Sequence, residues 1–189
     1  NSMPANKIIL GFVGDLASGK GTICKYLFQK YGTPSYRFST ILRGVVDRVY
    51  IPQSRENLQK ISQVLRENFG QDILSKAIAK DTFNDPHERI AVECIRRPTD
   101  ITYLKTDPTF HLIYVTADPK IRWERLVKRN ENAGDDKKTF ERFLEDEKVE
   151  ADMLIKELGK QAKFVIHNDK TFKELYEQTE AILAKLRPR

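Results

Sequence analysis

Short apolar runs alternate along the chain with longer stretches in which apolar side chains recur every three or four positions. Lys7 to Val13 (KIILGFV), Arg89 to Ile95 (RIAVECI) and Phe110 to Thr116 (FHLIYVT) are runs of the first kind and predict buried strands. Ser35 to Phe38 and Phe164 to His167 are shorter strand candidates. Helical spacing marks Gly19 to Tyr31, with Ile23, Cys24, Leu27 and Tyr31 on one face. It also marks Arg55 to Phe69, through Leu58, Ile61, Val64, Leu65 and Phe69. Thr40 to Val49 reads as a helix stopped by Ile51-Pro52, Gln71 to Phe83 as a helix after Gly70, and Asp100 to Lys105 as a short one. Pro119 opens a helix at a position where its missing N–H costs nothing, and that helix runs to about Arg129. Asn130 to Lys138 is polar and turn-rich, and Thr139 caps one long helix with Glu141 and Arg142 in its first turn. Thr171 to Leu186 closes the chain as a helix with Phe172, Leu175, Tyr176, Ile182, Leu183 and Leu186 on its apolar positions.

Strands alternating with helices predict an α/β fold, with a five-stranded parallel sheet and helices on both faces. In such sheets ligands bind beyond the carboxyl ends of the strands. The length of 189 residues suits a single domain, read as 3–189 once Asn1-Ser2 ahead of Met3 is set aside as an appended stretch. The longest apolar run, near Ile8 to Val13, falls far short of a membrane span, and no signal-peptide pattern opens the chain. The expectation is a cytoplasmic protein with no membrane partner. Cys24 and Cys94 lack a CxxC pattern and are read as free thiols, without a zinc site. The net charge of +6 suggests either nucleic-acid binding or a site handling several phosphate groups. The basic residues are scattered, with no basic run and no RNP-like aromatic pattern, which favours the phosphate site. Composition leaves the oligomeric state open.

The segment Gly14-Asp15-Leu16-Ala17-Ser18-Gly19-Lys20-Gly21-Thr22 follows the first strand and opens the first helix. Glycines let successive N–H groups turn toward phosphate oxygens, and the helix N-terminus adds partial positive charge. This is a P-loop that departs from the strict pattern by one place, because Gly21 stands between Lys20 and Thr22. Nucleoside triphosphate binding is expected from Gly14, Asp15, Ala17, Ser18, Gly19, Lys20, Gly21 and Thr22. Lys20 is expected on the β- and γ-phosphates and Thr22 on Mg²⁺. The guanine motifs of GTPases (NKxD, DxxG) and the HRD and DFG motifs of protein kinases are absent.

The ordered set GKGT, FSTILR, ECIRRP, IRWERLVKR followed by TFERFLEDE, and VIHND resembles P-loop nucleotide kinases of the adenylate-kinase-like and dephospho-CoA-kinase-like group. The resemblance covers nearly the whole chain. It implies the P-loop NTPase fold with a small lid at about 129–141 and an acceptor-binding helical segment at about 39–83. It implies ATP and Mg²⁺ as donor and metal, with Arg125 and Arg129 as lid-entry arginines on the migrating phosphoryl group beside Lys20. Arg142 would contribute from the far side of the lid. Thr40 and Arg43 take the roles of acceptor contact and phosphate grip, with Arg55, Arg96 and Arg97 as further acceptor arginines. Asn168 and Asp169 fall where the family packs a loop on the adenine. Glu93 stands at a Walker-B-like strand end as a magnesium candidate, although the family has Asp-Gly where this chain has Glu93-Cys94.

Two acceptors fit that resemblance, a nucleoside monophosphate (including a deoxynucleotide) and dephospho-CoA. Dephospho-CoA kinases carry an aspartate base just after the second strand, where this chain has Ser39-Thr40, with Asp47 a turn or more away. A monophosphate is already an anionic nucleophile and needs arginines rather than a base. The reading is therefore a nucleoside monophosphate kinase acting on small nucleotides, with dephospho-CoA kinase as the alternative. A reading of another class is a P-loop module that senses ATP or holds RNA with little turnover.

Overall fold

A computed structural model describes residues 6–129, 135–148 and 150–186; the side chains at 94 and 150–152 fall outside the described set. The strands are β1 (Ile8–Gly14), β2 (Ser35–Tyr36), β3 (Arg89–Ile95), β4 (Phe110–Thr116) and β5 (Phe164–His167). They pair in parallel in the order β2-β3-β1-β4-β5. β1 is buried along its whole length. Its alternating side chains divide the core in two. Ile8, Leu10 and Phe12 join Ile23 and Leu27 of α1 (Lys20–Tyr31) and Leu175, Ile182 and Leu183 of the last helix, α8 (Phe172–Leu186). Ile9 and Val13 join Ile78 of α4 (Ile73–Asn84) and Ile155 and Leu158 of α7 (Glu150–Gln161) on the opposite face. Each such aliphatic side chain contributes roughly 1.5–3 kcal/mol by leaving water.

The first excursions from β1 go to one side, through β2 and β3. The chain then crosses over β1 to β4 and β5. The strand order thus reverses at β1, and the crevice at such a reversal is where ligands bind in open parallel sheets.

The remaining helices are α2 (Phe38–Arg48), α3 (Arg55–Phe69), α5 (Pro119–Arg129) and α6 (Phe140–Asp146). α2 and α3 pack on each other and both pack on α4, forming a helical group that follows β2. The long helix expected from Thr139 is two helices. Thr139 does cap α6, accepting from the Arg142 N–H at 3.2 Å. The helix then stops at Glu147, whose carboxylate turns inward to Arg122. β2 is shorter than expected, because Arg37 is extended and Phe38 already belongs to α2. The segment expected as a short helix at Asp100 to Lys105 is a pair of 3₁₀ turns, Pro98–Ile101 and Leu104–Thr106. Of the expected lid, residues 130–134 lie outside the described residues. Its far side is tied to α5 by Trp123, which donates Nε1–H to the Lys138 carbonyl at 2.7 Å. Among the described residues no helix is long and apolar enough to cross a membrane.

Candidate active site

The P-loop turns at the carboxyl end of β1 under close packing. A Cβ on Gly14 would lie 2.2 Å from the Val115 carbonyl oxygen, so no side chain fits there. Gly19 has φ +106°, and a Cβ on it would lie 2.3 Å from Asn168 Nδ2. The first helical bond of α1 runs from Ile23 N to Gly19 O at 3.1 Å. The N–H groups of Lys20, Gly21 and Thr22 therefore precede the helical ladder and face outward from the helix start. They border a cavity of about 580 Å³ that the loop shares with Arg37, Glu93, Arg96 and Arg129. Lys20 Nζ donates to the carbonyls of Gly14 (2.7 Å) and Asp15 (3.1 Å), lying along the loop.

Asp15 and Asp169 hold the frame. The Asp15 carboxylate is buried and turned into the sheet. It accepts from Thr116 Oγ1 at 2.8 Å and from the Tyr114 hydroxyl at 3.0 Å. Burial, with the Asp15 charge beside it, pushes the Tyr114 phenol up to about 12. A nucleotide contact from Asp15 would run through its backbone. Asp169 Oδ1 accepts from the Asp118 N–H at 2.6 Å, bracing the entry to α5. Asn168 donates its side-chain N–H to the Ser18 carbonyl and its backbone N–H to the Thr116 carbonyl.

A second cavity of about 530 Å³ opens beside the first. Ala17, Gly19, Thr22, Arg125, Arg129 and Asn168 line it together with Phe172, a ring 68 % exposed that sequence reasoning leaves in the apolar face of α8. Arg125 Nη2 donates to the Asn168 carbonyl at 2.6 Å, while its buried Nη1 has no hydrogen-bond partner among the described residues. Burial draws the Arg125 pKa down against the charge of Asp169.

The three arginines of α5 separate in role. Arg129 faces both cavities and Arg125 faces the second. Arg122 is only 2 % exposed and serves the scaffold. Its Nε donates to the Ala117 carbonyl at 2.9 Å, and its two amino nitrogens grip Glu147. Arg142 lies on the surface of α6, paired with Asp146 at 3.0 Å.

Glu93 lies in β3, two residues before its end at Ile95 rather than at the strand end expected, in the wall of the first cavity, and the Arg37 guanidinium reaches its Oε2 at 2.6 Å. Thr22 borders both cavities. Among the described residues no group of three or more His, Cys, Asp or Glu could hold a metal by itself. Thr22 with one carboxylate suits a magnesium ion that arrives on phosphate oxygens and keeps several waters.

On the far side of Arg37 and Arg96 lies a cavity of about 300 Å³, bounded also by Ser39, Arg66 and Arg97. It shares Arg66 and Arg97 with a larger one of about 620 Å³ between α2 and α3, with Arg43 and Arg55 also in its walls. Four of the expected acceptor residues, Arg43, Arg55, Arg96 and Arg97, thus border two adjoining cavities. Thr40 borders neither and is exposed, whereas its neighbour Ser39 does. Sequence reasoning does not single out Arg37 or Arg66. The signal for Arg66 was its place on the polar face of α3, in line with Ser62 and Gln59.

A P-loop at the reversal of a five-stranded parallel sheet, with arginine-lined cavities beside it, is the architecture of P-loop kinases. The profile of the family described as AAA domain matches residues 13–143. A UPF0200 protein of Pyrococcus abyssi is 30 % identical over 184 residues, covering 95 % of this chain and 97 % of that protein. One from Methanocaldococcus jannaschii is 27 % identical over 182 residues, covering 95 % and 90 %. The chain belongs to the UPF0200 proteins and carries their AAA-type P-loop domain. Among solved structures, shikimate kinase from Bacteroides thetaiotaomicron superposes with a TM-score of 0.61 at 13 % identity, covering 95 % of this chain and 98 % of that one. TT1252 from Thermus thermophilus superposes with a TM-score of 0.60 at 18 % identity, covering 97 % and 100 %. At these identities the superpositions establish the fold.

Proposed function

We propose that this protein is an ATP- and magnesium-dependent phosphotransferase whose acceptor is a nucleoside monophosphate. The carrying observation is that Arg37 and Arg96 line both the P-loop cavity and the cavity next to it. Donor and acceptor phosphates would meet across a wall of guanidinium groups. Phosphoryl transfer needs this arrangement, because its catalysis is mostly positioning and charge stabilisation.

In this reading the N–H groups at the start of α1 and Lys20 hold the β- and γ-phosphates. Arg129 and Arg125 border the nucleotide from α5. Thr22 and Glu93 would hold magnesium, which would supply positive charge to the triphosphate. An acceptor phosphate oxygen bonds to the γ-phosphorus as the bond to the β–γ bridging oxygen breaks, and that electron pair leaves on ADP. No proton has to be removed from a monophosphate acceptor. A sugar hydroxyl would require a base, and Asp47 is engaged by Gln53 Nε2 at 2.6 Å and borders neither acceptor cavity. This weighs against dephospho-CoA.

The test is ADP formation from ATP and Mg²⁺ with a panel of ribo- and deoxynucleoside monophosphates and dephospho-CoA, against a control without acceptor. Stimulation by a monophosphate is expected, and Lys20→Ala should abolish it with the fold intact. Stimulation by dephospho-CoA alone would transfer the assignment to that acceptor. Absence of stimulation by any acceptor would overturn the phosphotransferase reading.

A further inference from the structure

The acceptor side holds more positive charge than one monophosphate uses. Arg43 comes from α2, Arg55 from the first turn of α3, Arg66 from its last turns and Arg97 from the loop after β3, yet all four converge on the 620 Å³ cavity. Among the described residues, the only acid in its walls is Glu67. Among the described residues, none of the four guanidinium groups has an ion pair. Arg43 Nη1 donates to the neutral Gln53 Oε1 at 2.7 Å, and Arg66 donates to Ser62 Oγ (3.3 Å) and the Gln71 carbonyl (2.9 Å). Asp100 stands at the edge of the adjoining cavity, where a carboxylate would normally quench an arginine. It accepts instead from the backbone N–H groups of Arg96 (2.9 Å) and Arg97 (3.0 Å). Its charge goes into the turn rather than onto those side chains.

The arginines fall at two stations. Arg37, Arg66, Arg96 and Arg97 surround the 300 Å³ cavity that adjoins the P-loop, whereas Arg43 and Arg55 border only the larger cavity beyond. A neutral nucleoside placed in that larger cavity would give Arg55 no anion to bind and leave Arg43 only its relay through Gln53 to Asp47. A planar guanidinium prefers a phosphate it can bind through two N–H groups. Gln59 and Ser62 line α3 between Arg55 and Arg66 and offer polar groups to an uncharged middle, whereas Gln53 is taken up by Arg43 and Asp47.

We infer that the acceptor is recognised through two separated phosphate groups, which narrows the monophosphate of the proposed reaction to one whose nucleoside or sugar bears a second phosphate. One sits in the small cavity beside the P-loop and receives the phosphoryl group; the second sits at Arg43 and Arg55. The chemical class is a doubly phosphorylated nucleotide or sugar. Which of the two phosphates is attacked rests on the phosphotransferase reading; the recognition of two anions does not.

The test is calorimetric binding with the P-loop filled by a non-hydrolysable ATP analogue and Mg²⁺. Two matched pairs serve as probes, adenosine 5′-monophosphate against adenosine 3′,5′-bisphosphate, and fructose 6-phosphate against fructose 1,6-bisphosphate. In at least one pair the bisphosphate should bind tenfold or more tightly. Arg55→Gln and Arg43→Gln, both on exposed surfaces and checked for unchanged melting, should each cut that ratio several-fold. Equal binding within both pairs overturns the inference, as does a ratio that both variants leave intact. The outcomes are separable from those of the proposed function. A bisphosphate preference without any transfer sinks only the phosphotransferase reading. Turnover of monophosphates with no bisphosphate preference sinks only the two-anion reading.

Discussion

Asn168 donates its side-chain N–H to the carbonyl oxygen of Ser18 at 2.9 Å, joining the end of β5 to the P-loop across 150 positions of sequence. The same amide group fills the space where a Cβ on Gly19 would lie. Asn168→Ala should therefore loosen the loop rather than remove a nucleotide contact. The expected effect is a stability loss of about 1–2 kcal/mol, from one lost bond and an uncovered buried carbonyl, with weaker ATP binding. Urea unfolding and ATP titration of the same variant check both. Gly19→Ala should be worse than Asn168→Ala on both, because it adds a clash at 2.3 Å to a left-handed backbone.

Arg122 and Arg129 lie two turns apart on α5 and should fail in different ways. Arg122→Ala leaves Glu147 partly buried without its partner and should cost roughly 3–5 kcal/mol of stability, the usual result of breaking a buried pair from one side. Arg129→Ala removes an exposed side chain that faces both nucleotide-side cavities. It should cost far less stability than Arg122→Ala and slow turnover by about 10²-fold, the scale of losing one charge-stabilising group. Thermal unfolding beside steady-state rates separates the two.

Glu180 ties α8 to α1, accepting from the Tyr26 hydroxyl (2.5 Å), the Tyr31 hydroxyl (2.7 Å) and Lys30 Nζ (2.6 Å). Partial burial would raise its pKa, but the three donors overcome that and hold the carboxyl at about 2. A carboxylate depressed in the folded state stabilises fully above its unfolded pKa of about 4.3 and loses that contribution as pH falls toward 2. Melting of Glu180→Gln should lie below that of the unsubstituted protein at pH 7, with the gap narrowing between about pH 4.5 and 2. A gap independent of pH would contradict the assignment.

Cys24 is buried in the core on α1, and burial with the neighbouring Glu93 charge pushes its thiol well above the ordinary range. It should resist iodoacetamide at pH 8 in the native protein and react on unfolding, which peptide mapping by mass spectrometry reads directly.

Features resting on local chemistry were legible in the sequence. The continuous apolar run of β1, the P-loop between β1 and α1, and the helical spacing of α3 each stand where apolar patterning and glycine placement put them. The break between α6 and α7 was not legible, because no glycine or proline marks it. Glu147 ends α6 while bonding to Arg122, a partner supplied from α5. Nor did the sequence separate Arg122 from Arg125 and Arg129. Their shared helix face is a local property, whereas burial of Arg122 depends on Leu16, Ala117 and Glu147 arriving from elsewhere. Arg37 escaped notice because its significance comes from Glu93, on a strand that follows it by some fifty residues. Asp15 and Asn168 read as ligand contacts from position alone. Their side chains face protein atoms that only the sheet pairing brings near.

The most direct test of the account is to follow the label of γ-³²P-ATP in the presence of Mg²⁺ and the acceptor that stimulates ADP formation. Transfer across the Arg37–Arg96 wall predicts label on the acceptor in step with ADP, abolished by Lys20→Ala and strongly reduced by Arg96→Gln. Label released only as inorganic phosphate, at a rate indifferent to acceptor and to Arg96, would contradict it.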